Sequence, residues 1–343
     1  MMDRGLRTLL VVVAILAALP GAAAGAEDYA KEQVRQQQEQ PLNNQPVWKE
    51  VRSGTPQVTQ VRGIETDVLV QPMGETWRQV REGPIKIYGG TLLVVVLAAI
   101  ALFYVRKGEI KLHGTPTGRL ILRFTNWERL VHWGTAISFS ILALSGLIIL
   151  FGRHILLPVF GLTLFSWLAV LCKNLHNFTG PAFTVFLVLL IGTFIRNNFP
   201  EKGDLRWFLS FGGLFSGKET PSGKFNAGEK LWFWGGALTL GSIVAVSGLV
   251  LDFPNFDQGR ETMQIAHVIH VVAALCMMAA ACGHIYMGTV GMAGAFEAMR
   301  YGVVDETWAH EHHEYWYETM KSAEANGGRG GSAPMPGVAQ REF

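Results

Sequence analysis

Apolar residues gather along this chain into long runs, at about 86–105, 129–151, 175–196, 230–252 and 263–290, separated by stretches in which Lys, Arg, Glu, Gly and Pro return. Each run is near the roughly twenty residues a helix needs to cross about 30 Å of hydrocarbon. Lipid cannot satisfy open backbone groups, so each run must be a helix. The pattern predicts an all-α membrane protein with five spans. A further apolar stretch, Ile155 to Leu171, carries Pro158 and Gly161 and reads as a re-entrant or interfacial piece rather than a sixth span.

The first residues follow a different pattern. Two arginines, an apolar run of about a dozen residues and a small-x-small site at Ala24-Gly25-Ala26 make residues 1–26 a predicted signal peptide, with the mature chain starting near Glu27 outside the cytoplasm. Residues 27–85 are polar, with prolines at 41, 46, 56, 72 and 84, and read as an extracytoplasmic segment that is partly extended or disordered. Thr66 to Val70 alternates as a short strand would. An extra transmembrane helix at 86–105, a four-helix domain over 106–300 and a tail over 301–343 complete the division.

Composition agrees with this picture: 49% hydrophobic against 16% charged residues makes the bilayer the solvent. A net charge of +2 gives no global basic field for nucleic acid. The placement of the cations is more telling. Arg106, Lys107, Lys111, Arg119, Arg123 and Arg129, then Arg196, Lys202, Arg206, Lys218, Lys224 and Lys230, fall in the segments that an outside N-terminus makes cytoplasmic, against Arg153, Lys173 and Arg260 on the other side. The C-terminal tail is then cytoplasmic. Cys172, Cys276 and Cys282 form no CxxC or CxxCH pattern, which excludes c-type haem and cysteine-held clusters and leaves them as small apolar residues.

Four histidines fall at helix ends or inside helices: His132, His176, His270 and His284. An ionisable group there is costly and points to function, although a single one can be a core histidine bonded to a neighbour. Spacing sharpens the reading. His270 and His284 lie 14 residues apart, so at about 100° and 1.5 Å per residue they share one helix face roughly 21 Å apart along the axis. One helix can thus ligate two stacked haems. His132 opens the second span from the cytoplasmic side, at the depth of His284, and His176 opens the third from outside, at the depth of His270. Chain direction therefore pairs His132 with His284 and His176 with His270 as axial ligands of an inner and an outer haem iron.

Gly146 lies 14 residues after His132, and Ala245-Val246-Ser247-Gly248-Leu249 echoes Ala143-Leu144-Ser145-Gly146-Leu147. Gly146 and Gly248 can clear space for a haem plane or serve plain helix packing. His267 is a rival for the outer site, but its ring is offset and nearer the surface, which favours a polar or propionate contact. His113 and His154 read as solvated loop residues. His310, Glu311, His312, His313 and Glu314 read as a contact surface. In the loop Gly223-Lys224-Phe225-Asn226-Ala227-Gly228-Glu229-Lys230, Asn226 can cap the next helix with Glu229 in its first turn. Asn226, Gly228 and Glu229 can also meet a quinone headgroup near the inner haem.

From about Arg119 to Trp316 the chain resembles the gamma, or cytochrome b, subunit of membrane-bound formate dehydrogenase. The resemblance is carried by His132-Trp133, His176, Asn226-Ala227-Gly228-Glu229-Lys230, His270 to His284 with Ile285-Tyr286-Met287, and Trp308, His312-His313 and Trp316-Tyr317. It implies a transmembrane four-helix bundle holding two bis-histidine haems b, paired as above, with quinone contacted by Asn226, Gly228 and Glu229 beside His284. It also implies an iron–sulfur (beta) partner and a molybdenum or tungsten (alpha) subunit that oxidises formate outside the membrane. Some members carry Gln at the position of Glu229. The extra first helix lies outside the four-helix core; Gly74-Glu75-Thr76-Trp77-Arg78 and Gly83-Pro84-Ile85 fit an extension found in longer members, for which docking to the partner is the simplest reading. No formate site, metal-cofactor ligand set or cluster cysteines are expected on this chain. The alternatives are a di-haem b subunit of a hydrogenase or of a thiosulfate or polysulfide reductase, or a haem-free anchor or transporter.

Overall fold

The structure, a computed structural model, describes residues 48–49, 52–53, 72–213, 220–256 and 258–325. The expected signal peptide over 1–26, the strand at Thr66 to Val70 and the end of the tail lie outside the described residues. Five helices are long and apolar enough to cross a membrane: Met73–Lys107, Asn126–Ile155, Leu157–Asn198, Ala227–Asp252 and Arg260–Gly291. The expected all-α membrane protein with an extra first span is the architecture found. Large apolar side chains face outward along these helices, among them Phe178, Trp167 and Val188, as lipid-solvated surfaces allow.

The first span is composite. Helix α1 (Pro72–Val80) passes through a π-helical turn (Arg81–Ile85) into α2 (Lys86–Lys107). Pro84 sits in that turn; lacking an N–H, it cannot keep the ordinary ladder, and the wider turn absorbs the break. Residues 72–85, expected to be extended or disordered, are therefore helical. Helix α3 covers Asn126–Ile155 and α4 covers Leu157–Phe194. Gly161, at φ 72°, bends the start of α4. Past Gly161 the helix is continuous into the third span, so of the two expected readings of Ile155 to Leu171 the re-entrant one is not realised and the interfacial one is left. A helix from residue 162 to 194 is about 50 Å long, which exceeds the hydrocarbon thickness.

After α5 (Asp204–Leu209), α6 (Ala227–Leu231) continues through wide π-helical turns over Trp232–Leu240 into α7 (Gly241–Asp252). Helix α8 (Arg260–Tyr286) ends in a second wide turn, Met287–Gly291. The segment after it forms α9 (Ala295–Tyr301), α10 (Glu306–His312) and α11 (Glu314–Ala325). Strand β1 (Leu120–Leu122) pairs antiparallel with β2 (Val303–Asp305), Ile121 opposite Val304.

The chain divides into two compact units, and each span contributes to both. In the unit made of Met1–Ala98, Ile137–Thr184 and Ser242–Ala279, Ile85, Leu150 and Leu275 form a small core. There Lys86 Nζ bonds Glu82 Oε2 at 2.5 Å and His154 Nε2 at 3.1 Å, which ties α2 to the end of α3. His154 is thus engaged by the neighbouring helix. In the unit made of Ala99–Ala136, Val185–Gly241 and Ala280–Phe343, Phe124, Val131, Phe194, Phe233 and Trp308 are buried together.

Candidate functional site

The first unit brings His176 of α4 and His270 of α8 together, ring centroids 6.1 Å apart. What aims each ring is a serine followed by a glycine. Ser145 Oγ donates to the Ile141 carbonyl at 2.7 Å and lies 2.9 Å from His176 Nδ1. Its hydrogen is spent on the helix, so it accepts from the imidazole, and the proton of a neutral His176 belongs on Nδ1. Ser247 repeats the arrangement from α7: Oγ donates to the Ile243 carbonyl and lies 3.2 Å from His270 Nδ1, which also reaches the Val244 carbonyl at 3.1 Å. Both rings are left with a free lone pair on Nε2, as a metal-binding imidazole requires. The glycines make this approach possible. A Cβ on Gly146 would stand 3.2 Å from His176 Cε1, and one on Gly248 3.1 Å from His270 Cε1.

The second unit brings His132 of α3 and His284 of α8 to a centroid separation of 6.2 Å. Among the described residues no serine bond to this pair is found. Trp232, at the start of the wide turns after α6, stacks on His284 at 4.8 Å and 12°, and Trp133 stands edge-on to His132. His132 Nδ1 is buried with no hydrogen-bond partner among the described residues. Such a group costs about 1–3 kcal/mol unless a ligand or ordered water satisfies it.

The Asn226 loop lies in the same unit and carries a capping box: Asn226 Oδ1 accepts from the Glu229 N–H at 3.0 Å, and Glu229 Oε2 accepts from the Asn226 N–H at 2.8 Å. The capping alternative is therefore realised, which does not remove Glu229 from other work. Its Oε1 accepts from Arg123 Nη2 at 3.1 Å, and its side chain keeps 35% exposure. Gly228 packs under Trp207, where a Cβ would stand 2.6 Å from the indole. Arg123 is buried between Phe124 and Trp308, 4.9 and 4.7 Å from their ring centres. The same guanidinium nitrogen reaches the Lys224 carbonyl at 3.1 Å and His313 Nε2 at 2.9 Å.

His313 Nδ1 donates to the Gly223 carbonyl at 2.8 Å, so Nε2 is the acceptor for Arg123. Burial, then the neighbouring Arg123 charge, hold His313 well below the ordinary histidine pKa. Burial likewise pulls Arg123 down, against the pull of Glu229. His312 and His313 are buried, and only His310 of the tail histidines is exposed. Of the expected contact surface, His312 and His313 are therefore interior, while His310, Glu311 and Glu314 keep some exposure. Among the described residues no group of three or more His, Cys, Asp or Glu side chains could hold a metal ion.

The donor sets fit haem. Two imidazoles on opposite sides of one iron, each nitrogen about 2 Å from it and about 1.1 Å from its ring centre, stand roughly 6 Å apart centre to centre. Both pairs meet that spacing.

With the site described, the comparisons with known proteins take a definite meaning. A family profile described as prokaryotic cytochrome b561 matches residues 123–302. The chain belongs to the prokaryotic cytochrome b561 family, and haem b is the cofactor that family implies. The relatives are more particular still. It is 30% identical over 213 residues to the nitrate-inducible formate dehydrogenase cytochrome b556 subunit of Escherichia coli K12, covering 60% of this chain and 94% of that one. It is 28% identical over 210 residues to a second formate dehydrogenase cytochrome b556 subunit of Escherichia coli K12, covering 59% and 93%. The formate dehydrogenase cytochrome b556 subunit of Haemophilus influenzae is 27% identical over 208 residues, covering 57% and 82%. The resemblance drawn from the sequence is the one these comparisons return.

Sequence reading missed Ser145, Ser247, Trp232, Arg123 and His313 as participants. The repeated Ala-x-Ser-Gly-Leu was a usable signal for the two serines. Nothing local marked His313, whose partner Arg123 lies 190 residues away.

Proposed function

We propose that this chain is the di-haem cytochrome b subunit of a respiratory formate dehydrogenase, carrying electrons from an extracytoplasmic iron–sulfur partner to quinone on the cytoplasmic side of the bacterial cell membrane. The observation that carries this reading is the presence of two separate histidine pairs, each drawn from two helices and each at the 6.1–6.2 Å spacing that one iron bridges. The relatives' names supply formate as the electron source. The excess of Lys and Arg in alternate loops supplies the orientation.

Two bound haems b would supply a one-electron relay along the bundle. His176 and His270 hold the outer haem, oriented by Ser145 and Ser247, with Gly146 and Gly248 letting the rings approach. His132 and His284 hold the inner one. Quinone takes two electrons and two protons to become quinol, and Asn226, Gly228 and Glu229 form its contact surface. Glu229 is the group placed to pass protons there, since its capping and Arg123 bonds fix the carboxylate while it stays partly exposed. Electrons moving inward meet protons taken from the cytoplasm, so turnover separates charge. A molybdenum or tungsten subunit, bound through the iron–sulfur partner, carries the formate chemistry.

The test is a reduced-minus-oxidised spectrum with haem stoichiometry on the purified chain. Two low-spin b haems per chain are expected; one or none sinks the relay. Formate-dependent quinone reduction by the purified complex, absent with hydrogen or thiosulfate as donor, separates this reading from a sister oxidoreductase.

A further inference from the structure

The matched family core begins at residue 123, so α1 and its wide turn need a purpose of their own. We propose that Arg81, Trp77 and His267 form a carboxylate-binding wall that receives the propionate arms of the haem held by His176 and His270. The inference rests on the proposed outer haem.

The first support is the direction of one hydrogen bond. Trp77 Nε1 lies 3.3 Å from His267 Nδ1, with the rings 5.3 Å apart and 71° to each other. An indole nitrogen only donates, so His267 Nδ1 accepts, and in the neutral imidazole the proton sits on Nε2. Its Nδ1 is occupied and its Nε2 is a donor, which excludes His267 as an iron ligand and suits it to an anionic acceptor. His267 lies three residues, about 4.5 Å of helix rise, before His270.

The second support is a cation short of anions. The Arg81 guanidinium stands 5.5 Å over the Trp77 ring, and its Nε is buried without a partner among the described residues. Glu82 reaches it only at 3.7 Å, while bonding Lys86 at 2.5 Å. A guanidinium held over an indole with a buried N–H unmet is built for a carboxylate. The third support is space. A cavity of about 440 Å³ opens beside Trp77 and His267, lined also by Arg260, Met263 and Gln264, and Arg81 reaches it through the Trp77 ring it stands over. Arg81 opens the wide turn that holds Pro84, and Trp77 of α1 meets His267 of α8 just before it.

The same carboxylate chemistry could be offered by an acidic side chain of the partner subunit, and the experiment separates the two. In the purified complex, the two haem waves are resolved by potentiometric titration, the outer one identified as the wave lost in His176→Ala. A cation beside a haem favours its reduced form, so Arg81→Gln should shift the outer wave to lower potential, or release that haem, and leave the inner wave in place. Arg81→Lys should retain most of the wild-type potential. Both waves unchanged in Arg81→Gln overturns the proposal; if binding of the iron–sulfur subunit is then weakened, the carboxylate is the partner's. A wild-type complex with a single wave would instead refute the two-haem reading itself.

Discussion

At the scale of single residues, the outer histidine pair is governed by groups that fix a proton rather than by the imidazoles alone. Ser145 and Ser247 each spend their hydrogen on their own helix and accept from a histidine Nδ1. Each imidazole has a backbone carbonyl within reach besides its serine, Leu142 for His176 and Val244 for His270. Ser145→Ala and Ser247→Ala should therefore perturb the outer haem alike, each by roughly the 1 kcal/mol of one hydrogen bond, read as a shift of one redox wave. Gly146→Ala should act sterically: its Cβ crowds His176 Cε1 at 3.2 Å, and overpacking costs about 1–3 kcal/mol, so outer haem occupancy should fall in the purified protein. In the second unit, His284→Ala should lose one haem and quinone reduction together. Retention of both haems would refute the assignment. Glu229→Gln preserves the shape of the cap but cannot pass a proton, and should slow quinol formation by about a hundredfold with both haems still present.

At the scale of elements, the segment after α8 is tied to the loop before α6 by buried polar bonds. His313 binds Arg123 and the Gly223 carbonyl, with Ser222 Oγ 3.4 Å away. The groups facing His313 are Arg123, Glu229 at 3.9 Å and neighbouring His312. Because burial and Arg123 hold its pKa down, the folded segment binds fewer protons than the unfolded one, and stability rises with pH across the window between the two values. The contribution is whole above the ordinary histidine pKa, about 6.5, and is lost as pH falls below it toward the depressed folded value. Glu311 adds to the same trend at lower pH: burial raises its pKa, but the His113 and Gly114 N–H groups outweigh that and leave it below the ordinary value. The protection factors of amides in residues 306–317, taken relative to the intrinsic exchange rate at each pH, should therefore fall between about pH 7.5 and about 5.5, and His313→Gln should flatten the upper part of that dependence. An unchanged profile in the variant would assign the effect elsewhere.

At the scale of the molecule, the central prediction is topological. With native cysteines removed, Thr115→Cys should react with an impermeant thiol reagent only from the cytoplasmic side and Asn255→Cys only from outside. The reverse pattern would invert the proposed direction of electron flow. The number and order of spans was legible in the sequence, because hydropathy over about twenty residues is a local property that lipid enforces. So was the grouping of four histidines by chain direction and helical period, and the rings of each group do lie 6.1 and 6.2 Å apart. The stretch Ile155 to Leu171 left two readings open, since proline and glycine mark a break but not whether the chain turns back or continues. Asn226 and Glu229 were readable as a cap because a capping box spans four residues. Tertiary structure alone decided which serine serves which histidine, that Trp77 donates to His267 Nδ1, and that His313 sits on Arg123. Those contacts join residues from 23 to 190 positions apart. A side chain's hydrogen-bond direction depends on neighbours that only folding supplies, whereas helical period and lipid solvation act on each segment by itself.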